Sequence, residues 1–463
     1  MTGPITGQLS EFSAQIALDR LDPAIAARAM ALTFDTVGVA IRARHDAEST
    51  PAMLRAAETL GLMHGDATII GDRATAGPAG AAWINGALAH SLDFDDTHAA
   101  GSIHPSAPIV PAALAAGEMA GASGKDVVAG IIAGYEVQIR LSLALVPKEH
   151  YERGYHPSAT CGAFGAAAAA GRVLGLRADQ IANAFGVCLS QAAGSMEFLV
   201  DGAWTKRFQV GYAAMNGLVA ATLAAEGYKG PDQPIEGEAG FLKAYAPNPI
   251  MPNAVAGLGE RYETMAIGVK PYPSCRYSHA AMDGLIALRA EHGFDIADIQ
   301  SVEIGLPKTG WDIIGDPEDD KRNPESIVDG QFSMPFLAAV VLRQGSMGWD
   351  DYAKHLKDPE TLDLCRKVSS VVDPLPEAEF PRQMSGVARV RTRNGDFEKF
   401  VVVPTGEPEN FPDMAALRAK FDALSAPYID PANADRLADA LLHLDRANKV
   451  DAVLALSRPQ TKH

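Results

Sequence analysis

The stretch Thr160-Cys-Gly-Ala-Phe-Gly-Ala-Ala-Ala-Ala-Ala-Gly-Arg-Val-Leu-Gly-Leu176 consists almost entirely of small and apolar residues. Similar runs recur through the first half of the chain at helical spacing. Small residues on many helix faces allow helices to pack backbone against backbone, so we predict a large all-helical domain. Its helices are predicted at residues 8–43 (two helices), 76–90, 105–122, 124–146, 160–176, 178–194 and 208–227.

The pattern changes near residue 262, where alternating and β-branched residues become common. Asn394-Gly395 separates two alternating runs, which predicts a hairpin over residues 386–403 with a type I′ turn. Short strands are predicted at 263–269 and 301–306, helices at 278–292 and 326–344, and a surface loop at 307–325.

Helical periodicity returns after Pro404, at residues 412–424, 431–444 and 447–457. A helical tail that follows an α+β insert is expected to pack back onto the first domain. The predicted fold class is therefore mainly α, with a discontinuous all-helical domain (residues 1–262 and 404–463) and a smaller α+β lid domain (residues 263–403).

Charge and cysteine content exclude several classes of protein. The chain of 463 residues has 40 basic and 57 acidic residues and a net charge of -17, which disfavours nucleic acid and anionic membrane surfaces as partners. The four cysteines form no C-x-x-C pair, which disfavours a zinc ribbon or a cysteine-held iron–sulfur cluster. No signal peptide is recognisable, and the most apolar stretches fall short of a membrane span. We therefore expect a soluble cytoplasmic protein.

The densest group of polar residues is His90-Ser-Leu-Asp-Phe-Asp-Asp-Thr-His98, directly after an Ala-rich run. In one interpretation, the aspartates cap helices and His90 pairs with Asp93 at i+3. In another, the segment is a polar wall that holds a substrate or orients a base. A third interpretation is a metal site, because oxygen and imidazole ligands are present. We regard metal binding as the minority interpretation, because no second acidic motif follows downstream.

His104 and His156 both precede Pro-Ser. Proline biases the preceding residue away from helix, so each imidazole is expected at an extended joint just before a helix. The N-terminus of that helix has free N–H groups and a positive dipole end, which suits a carboxylate. The alternative is a histidine that is satisfied at a helix start and has no role in chemistry.

Cations occur in two segments. Lys206 and Arg207 interrupt an otherwise apolar and aromatic segment, where a lysine can bind a carboxylate or act as a base. The second segment, Lys270-Pro-Tyr-Pro-Ser-Cys-Arg-Tyr-Ser-His279, is stiffened by two prolines where the second domain begins. Solvated charges are the alternative in both segments. Cys275 is interpreted as a packing or lining residue rather than a nucleophile.

Several catalytic motifs are absent from the sequence: G-x-S-x-G, H-E-x-x-H and the glycine-rich nucleotide loops. The remaining inventory is imidazoles, lysines and carboxylates. It suits removal of a carbon-bound proton next to a carboxylate, with cations stabilising the enolate-like charge.

The sequence resembles the MmgE/PrpD family in the order and spacing of motifs that cover most of the chain. The matching stretches are residues 90–98, Ile103–Ser106, Gly134–Arg140, Tyr155–Gly165, Thr205–Gly211, Glu238–Phe241 and Lys270–Cys275. The family includes 2-methylcitrate dehydratase, cis-aconitate decarboxylase and iminodisuccinate epimerase. The resemblance implies a homodimer without metal or organic cofactor, with an α+β lid beside the helical domain. We further predict that this lid supplies Lys270 and His279 to a site on the helical domain.

The resemblance also implies a set of pocket residues. These are Asp93, Thr97, His104, His156, Lys206 and Lys270. The chain departs from the family pattern at two positions, where Gln209 and Cys275 replace histidines that are common in relatives. These departures, with the Pro-Ser-Cys and His-Pro-Ser stretches, favour dehydration or epimerisation over decarboxylation.

From these observations we predict a cofactor-independent lyase, similar to a dehydratase, that acts on a small anionic polycarboxylate. The alternatives are an epimerase of a dicarboxylate and a catalytically silent carboxylate-binding protein. The predicted catalytic residues are His156 as base, His104 as acid, Lys206 as carboxylate clamp, and Lys270. The roles of the two histidines are exchangeable, depending on the stereochemistry of the product. The predicted substrate-binding residues are Asp93, Thr97, Arg207, Cys275, Arg276 and His279. No metal ligand is predicted.

Overall fold

Helix Pro157–Val173 has every residue buried except Arg172. It packs against helices Gly124–Leu145, Ser106–Ala120 and Thr205–Ala225. A Cβ atom at Gly217 would lie 2.4 Å from the Cβ of Ala166, so only glycine allows this approach. Close packing of small residues therefore forms the core of the helical part, as predicted.

The computed structural model describes residues 3–459. The chain divides into two compact units, Met1–Gly268 with Met414–His463, and Val269–Asp413. The sequence-based boundaries lie at 262/263 and 403/404. The first unit is helical and the second is α+β, which confirms the predicted fold class.

Each helix predicted for the first unit is present, and four described helices were not predicted: Thr50–Thr59, Pro147–Glu152, Phe198–Asp201 and Phe241–Tyr245. The bounds of the α-helices in this unit are Ile5–Gln15, Pro23–Asp46, Thr50–Thr59, Pro78–Ala89, Ser106–Ala120, Gly124–Leu145, Pro147–Glu152, Pro157–Val173, Ala178–Leu189, Phe198–Asp201, Thr205–Ala225, Phe241–Tyr245, Met414–Ser425, Pro431–Leu442 and Val450–Leu454. Two short antiparallel pairs accompany them, Ala67–Thr68 with Thr75–Ala76 and Thr97–His98 with Ile267–Gly268.

The strand predicted at residues 263–269 is wrong for most of its length. Residues Glu263–Ala266 form a 3₁₀ turn, and only Ile267–Gly268 is extended. The backbone N–H groups of Glu263 and Thr264 donate to the buried carboxylate of Glu136 at 3.1 and 2.9 Å. Because those donors are already satisfied, they are not available for a sheet ladder.

The second unit is built on a four-stranded sheet. Its order is Val368–Val372, Ile299–Leu306, Gly386–Thr392 and Gly395–Val401, and only the first pair is parallel. The edge strand Val368–Val372 was not predicted from the sequence. Helices accompany the sheet at His279–His292, Lys308–Ile314, Glu318–Lys321, Ile327–Gln331, Met334–Gln344, Asp351–His355, Pro359–Cys365 and Pro374–Glu379.

Three predictions for the second unit need correction. The hairpin is present, but Thr392 pairs with Gly395 and neither loop residue has a positive φ, so the type I′ turn is wrong. The hydroxyl of Thr392 accepts the Asn394 N–H at 3.1 Å, which closes the turn one residue before the predicted position.

The helix predicted at 326–344 is broken at Ser333, which caps a new helix containing Pro335. The predicted surface loop at 307–325 contains two short helices.

By length and composition alone, three of the described helices could cross a membrane: Pro23–Asp46, Gly124–Leu145 and Thr205–Ala225. The prediction that no stretch reaches that length is therefore wrong. The apolar window of Gly124–Leu145 is 94% buried within the structure. The same helix contains the buried ion pair Glu136–Arg140, at 3.2 Å. Its hydropathy is thus accounted for by packing in the core of the first unit.

Candidate active site

The segment after helix Pro78–Ala89 folds back so that His90 meets Asp95. His90 Nδ1 lies 2.6 Å from Asp95 Oδ2, and both side chains are fully buried. The sequence-based interpretation paired His90 with Asp93, whereas the described hydrogen bond of His90 is to Asp95. Asp93 instead has a φ of 52°, in the left-handed region that aspartate tolerates better than most residues.

Asp93 pairs with Lys206, the second residue of helix Thr205–Ala225. Lys206 Nζ donates to Asp93 Oδ1 at 2.7 Å, and the side chains are 23% and 12% exposed. Both predicted residues are thus brought together. A half-buried ammonium group of this kind is accessible to an anion. Because it is partly shielded from water, its attraction for that anion is stronger than at a fully exposed site.

His104 has its ring orientation set by a backbone carbonyl. Its Nδ1 donates to the Asp96 carbonyl oxygen at 2.8 Å and lies 3.5 Å from Asp95 Oδ2. Because a carbonyl oxygen can only accept, Nδ1 must carry a proton in both charge states. Nε2 is therefore the atom through which His104 can gain or lose a proton. The ring is 16% exposed.

His156 occupies the N-cap position of helix Pro157–Val173, in extended conformation as predicted. Its backbone N–H donates to the Gly194 carbonyl at 3.1 Å. Burial lowers the pKa of its imidazole well below the usual value, and the nearby charges of His90 and Lys206 lower it further. His156 is therefore neutral near pH 7, as a base must be.

His90 lies between the two predicted catalytic histidines. Its ring centroid is 4.7 Å from that of His104, edge to face, and 6.0 Å from that of His156. We call His104, His90 and His156 the imidazole row. The sequence analysis singled out the segment that contains His90 but did not include His90 among the site residues. The signal was its place beside three aspartates, directly after an apolar helix.

Asp96 anchors the end of the polar segment to the helical core. It accepts from the Ser106 N–H at 3.1 Å and from the Ser106 hydroxyl at 2.6 Å, and that hydroxyl lies 2.5 Å from the Tyr135 hydroxyl. Burial raises the pKa of Asp96 well above its usual value, and the charge of Asp95 raises it further. The Ser106 hydrogen bonds occupy Asp96, whereas the side chain of Asp95 contacts two rings of the imidazole row.

Lys420, from helix Met414–Ser425, contacts the same polar segment through its side chain. Its Nζ donates to the Phe94 carbonyl at 2.8 Å and pairs with Asp35 at 2.7 Å. The sequence analysis missed both residues. No local motif marks them, since the contact joins positions more than 300 residues apart in the chain.

Three other residues of the first unit lie close to these groups. Thr97 is on the short strand paired with Ile267–Gly268. Arg207 Nη1 donates to the Ser49 hydroxyl at 3.3 Å, and burial lowers the pKa of its guanidinium, although Asp93 and Glu48 oppose that effect. Gln209 Nε2 donates to the Ser195 carbonyl at 2.9 Å.

The remaining predicted site residues belong to the second unit. Lys270 and His279 are buried. His279 lies edge to face with Tyr272, at 5.4 Å between ring centroids. Cys275 belongs to the hydrophobic core of this unit, which agrees with a packing role. Arg276 forms an ion pair with Glu407 in this structure, through Nε at 2.6 Å. Participation of these residues in the reaction stays a prediction.

His90, Asp95 and His104 are the one group of described residues whose ligand atoms could surround a metal ion, all within 4.8 Å of one another. Ligands of a tetrahedral ion with bonds of about 2.0–2.1 Å lie about 3.3 Å apart. The 2.6 Å separation of His90 Nδ1 and Asp95 Oδ2 is instead that of a hydrogen bond. We therefore interpret the group as hydrogen bonded and assign no metal ligand to it.

Two family models match the chain. The MmgE/PrpD N-terminal domain matches residues 7–252, and the MmgE/PrpD C-terminal domain matches residues 272–446. Together they cover most of the sequence and every predicted site residue except Lys270, which lies between the two matched ranges.

Curated relatives give a consistent picture. Cis-aconitate decarboxylase of Aspergillus terreus is 29% identical over 418 residues, which cover 85% of this chain and 84% of the relative. Cis-aconitate decarboxylase-like protein oryM of Aspergillus oryzae is 26% identical and covers 98% of this chain and 97% of its own length. Human cis-aconitate decarboxylase is 28% identical over 303 residues, 63% of this chain and 61% of the relative. These names give the reaction that the sequence analysis ranked below dehydration and epimerisation.

Proposed function

This chain belongs to the MmgE/PrpD family, and from that premise we propose that it is a lyase acting on a small di- or tricarboxylate. The reaction begins or ends with transfer of a proton at a carbon next to a carboxylate. The observation that carries the proposal is the imidazole row, with the ammonium group of Lys206 close enough for its charge to affect His156.

Each group has one role in the proposed reaction. His156 is the base, because burial keeps its imidazole neutral. His104 is the acid, because Asp95 lies 3.5 Å from its Nδ1 and favours the protonated ring. Lys206 binds a substrate carboxylate and stabilises the negative charge that develops as the C–H bond breaks. The predicted Lys270 and His279 would add further cationic contacts.

Dehydration of a hydroxylated substrate uses both imidazoles. His156 removes the proton from carbon, the C–H electron pair forms a double bond, and the C–O bond breaks. The leaving hydroxyl takes a proton from His104 and departs as water. Both histidines then return to their starting states by proton exchange with solvent.

Decarboxylation is the second candidate, and the names of the curated relatives favour it. There, a C–CO₂ bond breaks, carbon dioxide leaves, and an imidazolium donates a proton to the carbon that receives the electron pair. The same groups serve both reactions, because each develops negative charge next to a carboxylate.

Incubation with candidate substrates in deuterated water separates the possibilities. The panel contains hydroxylated di- and tricarboxylates and cis-aconitate, followed by NMR and mass spectrometry. Loss of water with a new double bond supports dehydration, and release of carbon dioxide supports decarboxylation. Deuterium exchange at one carbon without net loss indicates an epimerase. Binding without any exchange across the panel would indicate a silent carboxylate-binding protein and overturn the proposal.

We also propose that the protein acts as a homodimer, as the family resemblance implies. Sedimentation equilibrium of the full chain tests this directly. A monomer that turns over substrate at concentrations used for the assay would contradict it.

A further inference from the structure

The buried carboxylate of Asp95 lies close to two imidazoles of the proposed site, those of His90 and His104. Asp95 Oδ2 lies 2.6 Å from His90 Nδ1 and 3.5 Å from His104 Nδ1. The side chains of His90 and Asp95 are fully buried. Charges in such a place interact strongly, because little water screens them. Both residues belong to the segment for which one interpretation of the sequence is a polar wall, but neither is among the predicted catalytic or substrate-binding residues.

The hydrogen bonds determine where the protons are. His104 Nδ1–H is directed at the Asp96 carbonyl, so this ring exchanges protons through Nε2. His90 Nδ1–H is directed at Asp95, and this hydrogen bond weakens the effect of the Asp95 negative charge on other groups. The extent to which Asp95 stabilises a protonated His104 therefore depends on the hydrogen bond that His90 donates to Asp95.

Other charged and titratable groups also face the imidazole row, and each has a partner that limits its influence. Asp96 is held by Ser106, Asp93 by Lys206, and Asp35 by Lys420. His156 is also affected by the charges of Lys206 and His150. Among these groups, Asp95 is the carboxylate in direct contact with imidazoles.

We propose that Asp95 and His90 are a positioning pair for His104, in which Asp95 is the counter-charge that keeps His104 protonated and His90 moderates that charge. The inference rests on the proposed function, in which His104 is the acid. It extends that function by assigning roles to two residues that need not touch substrate. A protonated His104 is then available at neutral pH to protonate the leaving group.

Substitutions at the two positions should shift the pH profile in opposite directions. With Asp95→Asn, the alkaline limb of kcat should move to lower pH by about one unit or more, because the imidazolium loses its counter-charge. With His90→Leu, the limb should move to higher pH, because Asp95 no longer shares its charge. His90→Asn keeps a donor near the position of Nδ1 and should leave the limb close to that of the wild type.

Both shifts are measured on kcat against pH, with KM followed separately. Glu118→Gln is the matched control, since it removes a part-buried carboxylate of the same unit that accepts only from Thr68 in the described contacts. It should leave the alkaline limb in place. If Asp95 and His90 had only a structural role, both variants would lose activity, but the alkaline limb of kcat would not move in opposite directions.

The outcomes separate this inference from the proposed function. If the wild-type protein turns over no carboxylate, the proposed function fails. If it is active but the limb is unmoved in both Asp95→Asn and His90→Leu, or moves the same way, the positioning pair is wrong. Should Asp95→Asn fail to fold by circular dichroism, His90→Leu decides alone: an upward shift supports the pair, and any other result overturns it.

Discussion

Lys206 Nζ lies 2.7 Å from Asp93 Oδ1, although 113 positions separate the two residues in the chain. The contact joins the loop after one helix to the first turns of another. Asp93 meets Lys206 from a left-handed backbone conformation, which costs some free energy and is typical of functional sites. An anionic substrate can compete with Asp93 for the ammonium group, so the pair can open when a ligand binds.

Lys206→Ala should therefore weaken substrate binding as well as turnover. A hydrogen bond to a charged group contributes about 1.5–3 kcal/mol, which corresponds to about a ten- to hundredfold increase in KM. Steady-state kinetics on an active carboxylate measure this. Lys243→Ala removes an ammonium group paired with the exposed Glu238 and should change neither constant. An unchanged KM in Lys206→Ala would remove Lys206 from the binding site.

His156→Ala and His104→Ala should each lower kcat about 10²- to 10⁴-fold, the usual contribution of a positioned acid or base. The fold should be retained, which far-ultraviolet circular dichroism checks. His443→Ala, at an exposed histidine, is the control. Near-normal turnover in both variants would mean that these imidazoles only begin helices, and the chemistry would have to be reassigned to Lys270, His279 or Cys275.

Acid should destabilise the protein through His150. Burial lowers the pKa of this imidazole to about 4, against the ordinary value of 6.5. Between these values the unfolded chain binds the proton more readily, so the stabilisation is complete above pH 6.5 and is lost as pH falls toward 4. The total is at most about 3 kcal/mol.

Urea unfolding at pH 7 and pH 5 measures the effect on the free energy of unfolding. His150→Gln should lose less stability between the two values than the wild type, because it has no proton to take up. Equal losses in both proteins would show that His150 does not contribute to acid sensitivity.

Activity should not require a metal ion. The ligand atoms of His90 and Asp95 are placed as a hydrogen bond, and the imidazoles with Lys206 supply acid, base and cation. Elemental analysis of the purified protein, with turnover measured after dialysis against chelator, checks this. Stoichiometric zinc, iron or magnesium whose removal abolishes turnover would make this group a ligand set.

Lys270→Ala tests whether the second unit takes part in the reaction. The sequence predicts a catalytic role for this lysine, which is buried. We expect kcat/KM to fall at least about tenfold, as for the loss of one contact to a charged group. Lys399→Ala, on an exposed pair with Glu291, is the control from the same unit. Equal activity in the two variants would remove Lys270 from the reaction.

Prediction from sequence worked where local rules and packing agree. Helical periodicity and glycine breaks located the helices around Gly121, which ends one helix in left-handed conformation. It failed where a single side chain changed the local outcome. The Thr392 hydroxyl accepts a hydrogen bond that places the hairpin turn one residue before the predicted position. The Glu136 carboxylate accepts the backbone N–H groups of a segment that was predicted as a strand and forms a 3₁₀ turn. Such contacts depend on the orientation of individual hydrogen-bonding groups, which periodicity does not encode.

The sequence by itself determined that this protein has a close-packed helical part, an α+β part, and histidines held before proline at helix starts. Those properties follow from residue size, periodicity and backbone restriction, which act over a few positions. Only the tertiary structure decided that His90 lies between His104 and His156, that its described hydrogen bond is to Asp95, and that Lys420 contacts the same polar segment. These pairings join distant positions, and they result from how helices pack and from where buried charges can be neutralised.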